Sequence, residues 1–187
     1  MTAAPTSRID ARFRDLRERN AKGLVVYFTA GDPSLDATGE LLAAVERGGA
    51  DIIELGVPFS DPLADGPVIQ RASERALRGG TTLRKILECL PRWRETVRAP
   101  IILFSYFNPI LRYGLRQFAE DSSRAGADGA LVVDLTPEEA EAYVVPSTPR
   151  PSRVAVCGAV KLPSEPPPVA VSTRSKPISA ASVLACS

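Results

Sequence analysis

Four short apolar runs, residues 23–30, 50–56, 100–106 and 129–135, are separated from one another by stretches of helical periodicity. This alternation constrains the fold more than any other feature of the chain. The runs are continuous rather than alternating, and rich in Val, Ile, Leu and aromatic residues, which suits strands buried on both faces of a parallel sheet. Residues 34–48 place Leu41, Leu42 and Val45 on one helical face and stop at Gly48-Gly49. Pro67 suits the first turn of a helix running to about Leu77, stopped by Gly79-Gly80. A further helix over 82–97 carries Leu83, Ile86, Leu87 and Leu90 and is expected to bend at Pro91, and another covers 114–126. Asn108-Pro109 follows the third run directly. Ahead of all this, Ile9, Phe13 and Leu16 mark an amphipathic helix over 7–20, capped by Thr6 or Ser7.

Strand and helix alternating in this way predict βαβ units, hence an α/β fold. No G-x-G-x-x-G or G-x-x-x-x-G-K-[ST] sequence follows any run, which counts against nucleotide-binding folds. Polar residues gather instead at the C-terminal ends of the runs: Thr29 and Asp32, Glu54, Tyr106 and Asn108, then Asp134. In a (β/α)8 barrel that end holds the active site, and four units are half of such a barrel, which typically takes about 250 residues.

Composition excludes several chemistries. The chain has no histidine, which removes Ser-His and Cys-His mechanisms and most catalytic zinc sites. Cys89, Cys157 and Cys186 are far apart, so neither a disulfide framework nor a metal site is expected, and Cys89 reads as a small buried thiol beside Leu87 and Leu90. A net charge of +1 gives no reason to expect nucleic acid or an anionic membrane as partner. No run is long enough to span a bilayer, and residues 1–20 lack the apolar centre of a secretory signal, so the expected address is cytoplasmic.

A change of character comes near Tyr143. Residues 145–187 hold 8 of the 17 prolines, 8 serines and no aromatic residue, with a net charge of +4. We therefore divide the chain into a βα body, 1–144, and a Pro/Ser-rich tail, 145–187, expected to be disordered or loosely packed. Thr136-Pro137-Glu138-Glu139, a capping box, opens a helix just before that boundary.

The chemistry concentrates between residues 51 and 67. Glu54 lies close to the C-terminal end of an apolar strand, and Asp61 and Asp65 lie in the proline- and glycine-rich loop that follows. Carboxylates eleven residues apart on a strand and its following loop can face each other across a cleft and share acid–base work. A plainer alternative stands beside each. Glu54 can pair with a lysine or arginine; Asp61 and Asp65 can be turn residues, as can Asp32; Asp134 can help the helix at 136 to start; Tyr106 can be core.

The sequence Glu-Leu-Gly-Val-Pro-Phe-Ser-Asp-Pro-Leu-Ala-Asp-Gly-Pro-Val-Ile-Gln, residues 54–70, resembles the signature of the tryptophan synthase alpha chain family. Tyr-Phe-Thr-Ala-Gly-Asp-Pro (27–33), Phe-Ser-Tyr-Phe-Asn-Pro (104–109) and Val-Val-Asp-Leu (132–135) resemble the family's first, third and fourth strand regions. The resemblance covers about residues 6–144.

It implies a TIM (β/α)8 barrel, of which this chain holds the first four units followed by an irregular tail. It implies aldol cleavage of indole-3-glycerol phosphate to indole and glyceraldehyde 3-phosphate, with no metal and no organic cofactor. Glu54 would handle the proton transfers and Asp65 would stabilise charge at the indole nitrogen. Tyr106 and Leu131 match positions lining the indole pocket. Asp61 and Pro62 match the region that meets the beta chain in an alpha2-beta2 assembly. The family's phosphate-binding loops follow strands six to eight, and nothing in this sequence supplies them, so the expectation is a chain with little or no activity. The alternative is a non-catalytic fragment that keeps the beta-chain docking surface.

Overall fold

The structure, a computed structural model, describes residues 7–135. The expected capping box at 136–139, the boundary at 144 and the tail lie outside the described residues.

Helix α1 (Arg8–Glu18) is capped by Ser7, whose hydroxyl accepts the Asp10 N–H. Strand β1 (Val25–Thr29) and helix α2 (Leu35–Arg47) follow, then β2 (Ile52–Gly56), α3 (Pro67–Arg78) and α4 (Leu83–Arg94). The described part closes with β3 (Ile101–Ser105), α5 (Phe107–Tyr113), α6 (Leu115–Ala125) and β4 (Gly129–Val132). All four strands are parallel, in the order β1-β2-β3-β4. Sequential neighbours without a reversal are what a barrel requires, whereas a doubly wound sheet reverses its strand order.

Side chains alternate across the sheet, and the two faces differ. Ile53 and Leu55, Ile101 and Leu103, Ala130 and Val132 point to one face and are buried beneath the helices. There they join Leu42, Ile86, Leu90 and Trp93 in a single core. The other face presents one row of Tyr27, Glu54, Ile102 and Gly129, and a second of Thr29, Gly56, Phe104 and Leu131. Most of those larger side chains are only half-buried.

The helices depart from expectation in three places. Asn108-Pro109 sits inside α5 rather than in a plain connection. Proline is tolerated there because the first turn of a helix has no intrahelical partner for its N–H. Helix α4 ends at Arg94, not 97, with Pro91 inside it. In α2, Leu42 is fully buried but Leu41 is 38% exposed, because successive helical residues lie about 100° apart and the sheet covers a narrower stripe.

Gly39 lies inside α2, where glycine is intrinsically unfavourable. Its reason is Trp93: a Cβ at position 39 would come within 2.7 Å of the indole Cδ1 and Nε1. Trp93 is the chain's only tryptophan and is 3% exposed, so the ring has nowhere to retreat. Gly39→Ala is expected to cost about 1–2 kcal/mol, overpacking outweighing the helix-propensity gain. Denaturant unfolding followed by Trp93 fluorescence measures this directly; an unchanged or raised midpoint would refute the packing argument.

Candidate active site

Four strands and one loop build the candidate site towards the C-terminal end of the sheet. Glu54 is the middle residue of β2, two residues before the strand's C-terminal end as the sequence suggested, and its side chain stands on the face away from the helices. Both of its strand neighbours, Ile53 and Leu55, serve the opposite, buried face. Burial raises the Glu54 pKa above the ordinary carboxylate value. Among the described residues no lysine or arginine forms an ion pair with it, so the simple pairing alternative finds no support there.

Asp65 lies at the far end of the loop between β2 and α3 and is half-buried. Burial raises its pKa too, and the Tyr106 hydroxyl partly offsets this by stabilising the charge. Tyr106, directly after β3, is 5% exposed, and its oxygen accepts the Ala64 N–H at 2.9 Å. Its ring packs 5.1 Å from that of Phe59 in the same loop. The phenol is pushed up to about 12, chiefly by burial. Tyr106 is therefore core, and its hydroxyl also holds the loop that carries Asp65.

Leu131 lies in the row with Gly56 and Phe104, half-buried. Asp61 stands apart. It is exposed, its carboxylate accepts the Ser60 hydroxyl at 2.6 Å, and its carbonyl accepts the Leu63 N–H at 2.9 Å. Pro62 closes the same turn by accepting the Asp65 N–H at 3.1 Å. Between Pro62 and Asp65, Leu63 projects outward, 95% exposed. The loop thus has an outer end and an inner end.

Two other strand-end carboxylates are committed elsewhere. Asp32 receives two hydrogen bonds from the Arg75 guanidinium, at 2.9 and 2.7 Å, which ties the β1 loop to α3 and lowers the Asp32 pKa. Asp134 accepts the Phe107 N–H at 2.6 Å, so it caps α5 across the sheet. Asn108 is exposed on α5.

Tyr27 was not singled out from the sequence, yet it stands beside Glu54. It is the register partner of Glu54 and its ring meets Phe104 edge-on at 5.1 Å, passing over Gly56. A Cβ at Gly56 would lie 2.8 Å from the Tyr27 Cζ, which explains glycine at that strand position. Its hydroxyl is 3.4 Å from the Thr29 hydroxyl, and its pKa is pushed up to about 12, mainly by burial, with the charges of Asp65 and Glu54 adding to the rise. Alternation of Tyr27 with Thr29 was the available signal.

The result is a sheet face with two carboxylates of raised pKa, two phenols and the apolar side chains of Ile102 in one row and Phe104 and Leu131 in the next. Carboxylates held towards their protonated forms beside phenols suit proton transfer. Among the described residues no group of three or more Cys, Asp or Glu side chains is placed to hold a metal ion. No described helix is long and apolar enough to cross a membrane.

Comparison with known proteins gives a consistent answer. The family model described as tryptophan synthase alpha chain matches residues 13–150. The tryptophan synthase alpha chain of Solibacter usitatus is 56% identical over 138 residues, which are 74% of this chain and 52% of that protein. Among solved structures, tryptophan synthase subunit alpha from Legionella pneumophila superposes with a TM-score of 0.73 at 45% identity, covering 75% of this chain and 54% of the other. A tryptophan synthase chain from M. tuberculosis gives 0.70 at 38% identity, covering 75% and 56%. The chain spans about half the length of the relatives it matches, and its parallel βα units are those of a (β/α)8 barrel.

Proposed function

The chain belongs to the tryptophan synthase alpha chain family, and from that premise we propose that Glu54 and Asp65 are the acid–base pair of an indole-3-glycerol phosphate lyase. The observation that carries the reading is that Glu54 on β2 and Asp65 on the loop after it both bear on the Tyr27 phenol, and that burial raises the pKa of both carboxylates. Cleaving the bond between the indole ring and the glycerol chain requires a proton on the ring carbon. Positive charge then spreads towards the ring nitrogen. The bond breaks as the adjacent hydroxyl loses its proton and becomes the aldehyde. Glu54, held towards its protonated form by burial, supplies the first proton and takes up the second, so no net proton is consumed. Asp65 stabilises the cationic nitrogen. Tyr106 and Leu131 line the ring pocket. The compartment proposed for this biosynthetic step is the cytoplasm.

The partner is a tryptophan synthase beta chain, in the alpha2-beta2 arrangement implied by the family, docking on the outer end of the loop at Asp61 and Pro62. The exposed Leu63 between those residues and Asp65 supports that placement. This surface also motivates a second reading, a non-catalytic docking fragment. Indole release from indole-3-glycerol phosphate, measured with the 187-residue chain alone and with beta chain added, tests both. Indole above the level seen with Asp65→Asn supports catalysis. No indole, but a stimulated beta chain, favours the docking fragment. Neither effect would remove both readings.

A further inference from the structure

Beyond Val57, whose N–H bonds the Phe104 carbonyl at 2.8 Å, the loop between β2 and α3 has no strand ladder to hold it. Its internal bonds are short-range, from Leu63 N–H to the Asp61 carbonyl at 2.9 Å and from Asp65 N–H to the Pro62 carbonyl at 3.1 Å. Two side chains outside the loop tie it down. One is Tyr106, which accepts the Ala64 N–H. The other is Gln70, near the start of α3, whose side-chain amide turns back into the loop. Its Nε2 donates to the Asp65 carbonyl at 2.9 Å and reaches the Pro62 carbonyl at 3.5 Å. Both partners are acceptors only, so the amide must present its nitrogen to them. The shorter contact is a full hydrogen bond and the longer a weak one. Helix α3 needs nothing from this side chain: the backbone N–H of Gln70 already bonds the Gly66 carbonyl at 3.0 Å.

We infer that Gln70 is a positioning residue for Asp65, its amide bracing the inner end of the loop against the Pro62 turn at the outer end. Pressure on the turn then reaches Asp65 through this side chain as well as through the Asp65 N–H bond to the Pro62 carbonyl. The inference rests on the roles proposed above for Asp65 and for the Asp61–Pro62 turn. It adds to them a residue that touches neither substrate nor partner.

The test reads the loop separately from the chemistry. Amide hydrogen exchange at Ala64 reports whether the loop stays seated on Tyr106. In the full chain, Gln70→Met keeps length and volume but removes the donor. Ala64 exchange should rise about fivefold or more, the loss of one net hydrogen bond, while Trp93 fluorescence shows global unfolding unchanged. Gln70→Lys keeps a donor of similar reach and should restore most of the protection. Ala64 exchange in Gln70→Met within twofold of the unmodified chain would overturn the inference, as would a Lys variant no better protected than Met. With beta chain and saturating indole-3-glycerol phosphate, Gln70→Met should lower kcat about tenfold with KM nearly unchanged, the pattern of a misplaced transition-state group. An unmodified chain that releases no indole removes the catalytic reading of Asp65, and the Ala64 exchange then decides the bracing by Gln70 alone.

Discussion

Whatever indole release the chain supports should fall by about 10²–10⁴-fold in Glu54→Gln, the usual contribution of one positioned general acid–base group. The same change should stabilise the fold at neutral pH. Burial raises the Glu54 pKa, so the folded chain prefers the protonated carboxyl more strongly than the unfolded chain does. Below the unfolded-state pKa both states are protonated and the site costs nothing. As pH rises from there through the folded pKa, the unfolded chain ionises first, and stability falls until both states are charged. Glutamine never ionises and escapes this penalty. The melting temperature of Glu54→Gln should therefore exceed that of the unmodified chain near pH 7, and the gap should close as pH falls through the carboxylate range. A gap that widens towards acid would mean that Glu54 is stabilised as the anion by a partner, and would favour the ion-pair alternative. Loss of activity coupled to gain of stability marks a residue kept for chemistry.

Much of this was legible because burial leaves a periodic trace. Ile53 and Leu55 are apolar because helices cover their face of the sheet, and Ile102, Phe104 and Leu131 keep the runs unbroken on the opposite, half-buried face. A carboxylate inside that run, Glu54, stood out against it. The loop after β2 was recognisable by its prolines and glycines, and the family resemblance singled out Asp65 within it. What escaped were contacts between residues distant in the chain. Asp134 reads locally as a helix-starting residue, yet it caps α5, 27 residues earlier. Tyr27 looked like one more apolar strand residue because its hydroxyl matters only once β2 places Glu54 beside it. Gln70 looked like an ordinary helix residue, since nothing local shows that its amide turns back to the loop. Leu41 erred the other way, apolar in pattern but left at the surface. Periodicity reports which face is covered; it does not report what stands opposite.

The largest stability loss is expected far from the chemistry, from Asp128→Ala. Asp128 directly precedes β4, at the N-terminal end of the strands, the end that in barrels serves stability rather than catalysis. Its carboxylate accepts the Arg8 guanidinium at 2.6 Å, the Ile101 N–H at 2.8 Å, and Arg94. Arg94 is buried, and also donates to the Gly126 carbonyl at 2.8 Å and the Ala99 carbonyl at 2.6 Å. Burial pushes its pKa down to about 10, against the opposing pull of Asp128. One carboxylate therefore joins α1, α4, β3 and the start of β4. Removing it strands a buried guanidinium and orphans a strand N–H, and breaking such a pair costs about 3–5 kcal/mol. The sign of the cause is testable. If the penalty is an uncompensated charge, Arg94→Met in the Asp128→Ala background should recover a substantial part of it, because an apolar side chain of similar length needs no partner. Urea unfolding of the two variants and the unmodified chain decides the matter. A double variant no more stable than Asp128→Ala would show that the carboxylate acts through its hydrogen bond to Ile101 and its tether to α1, not through charge.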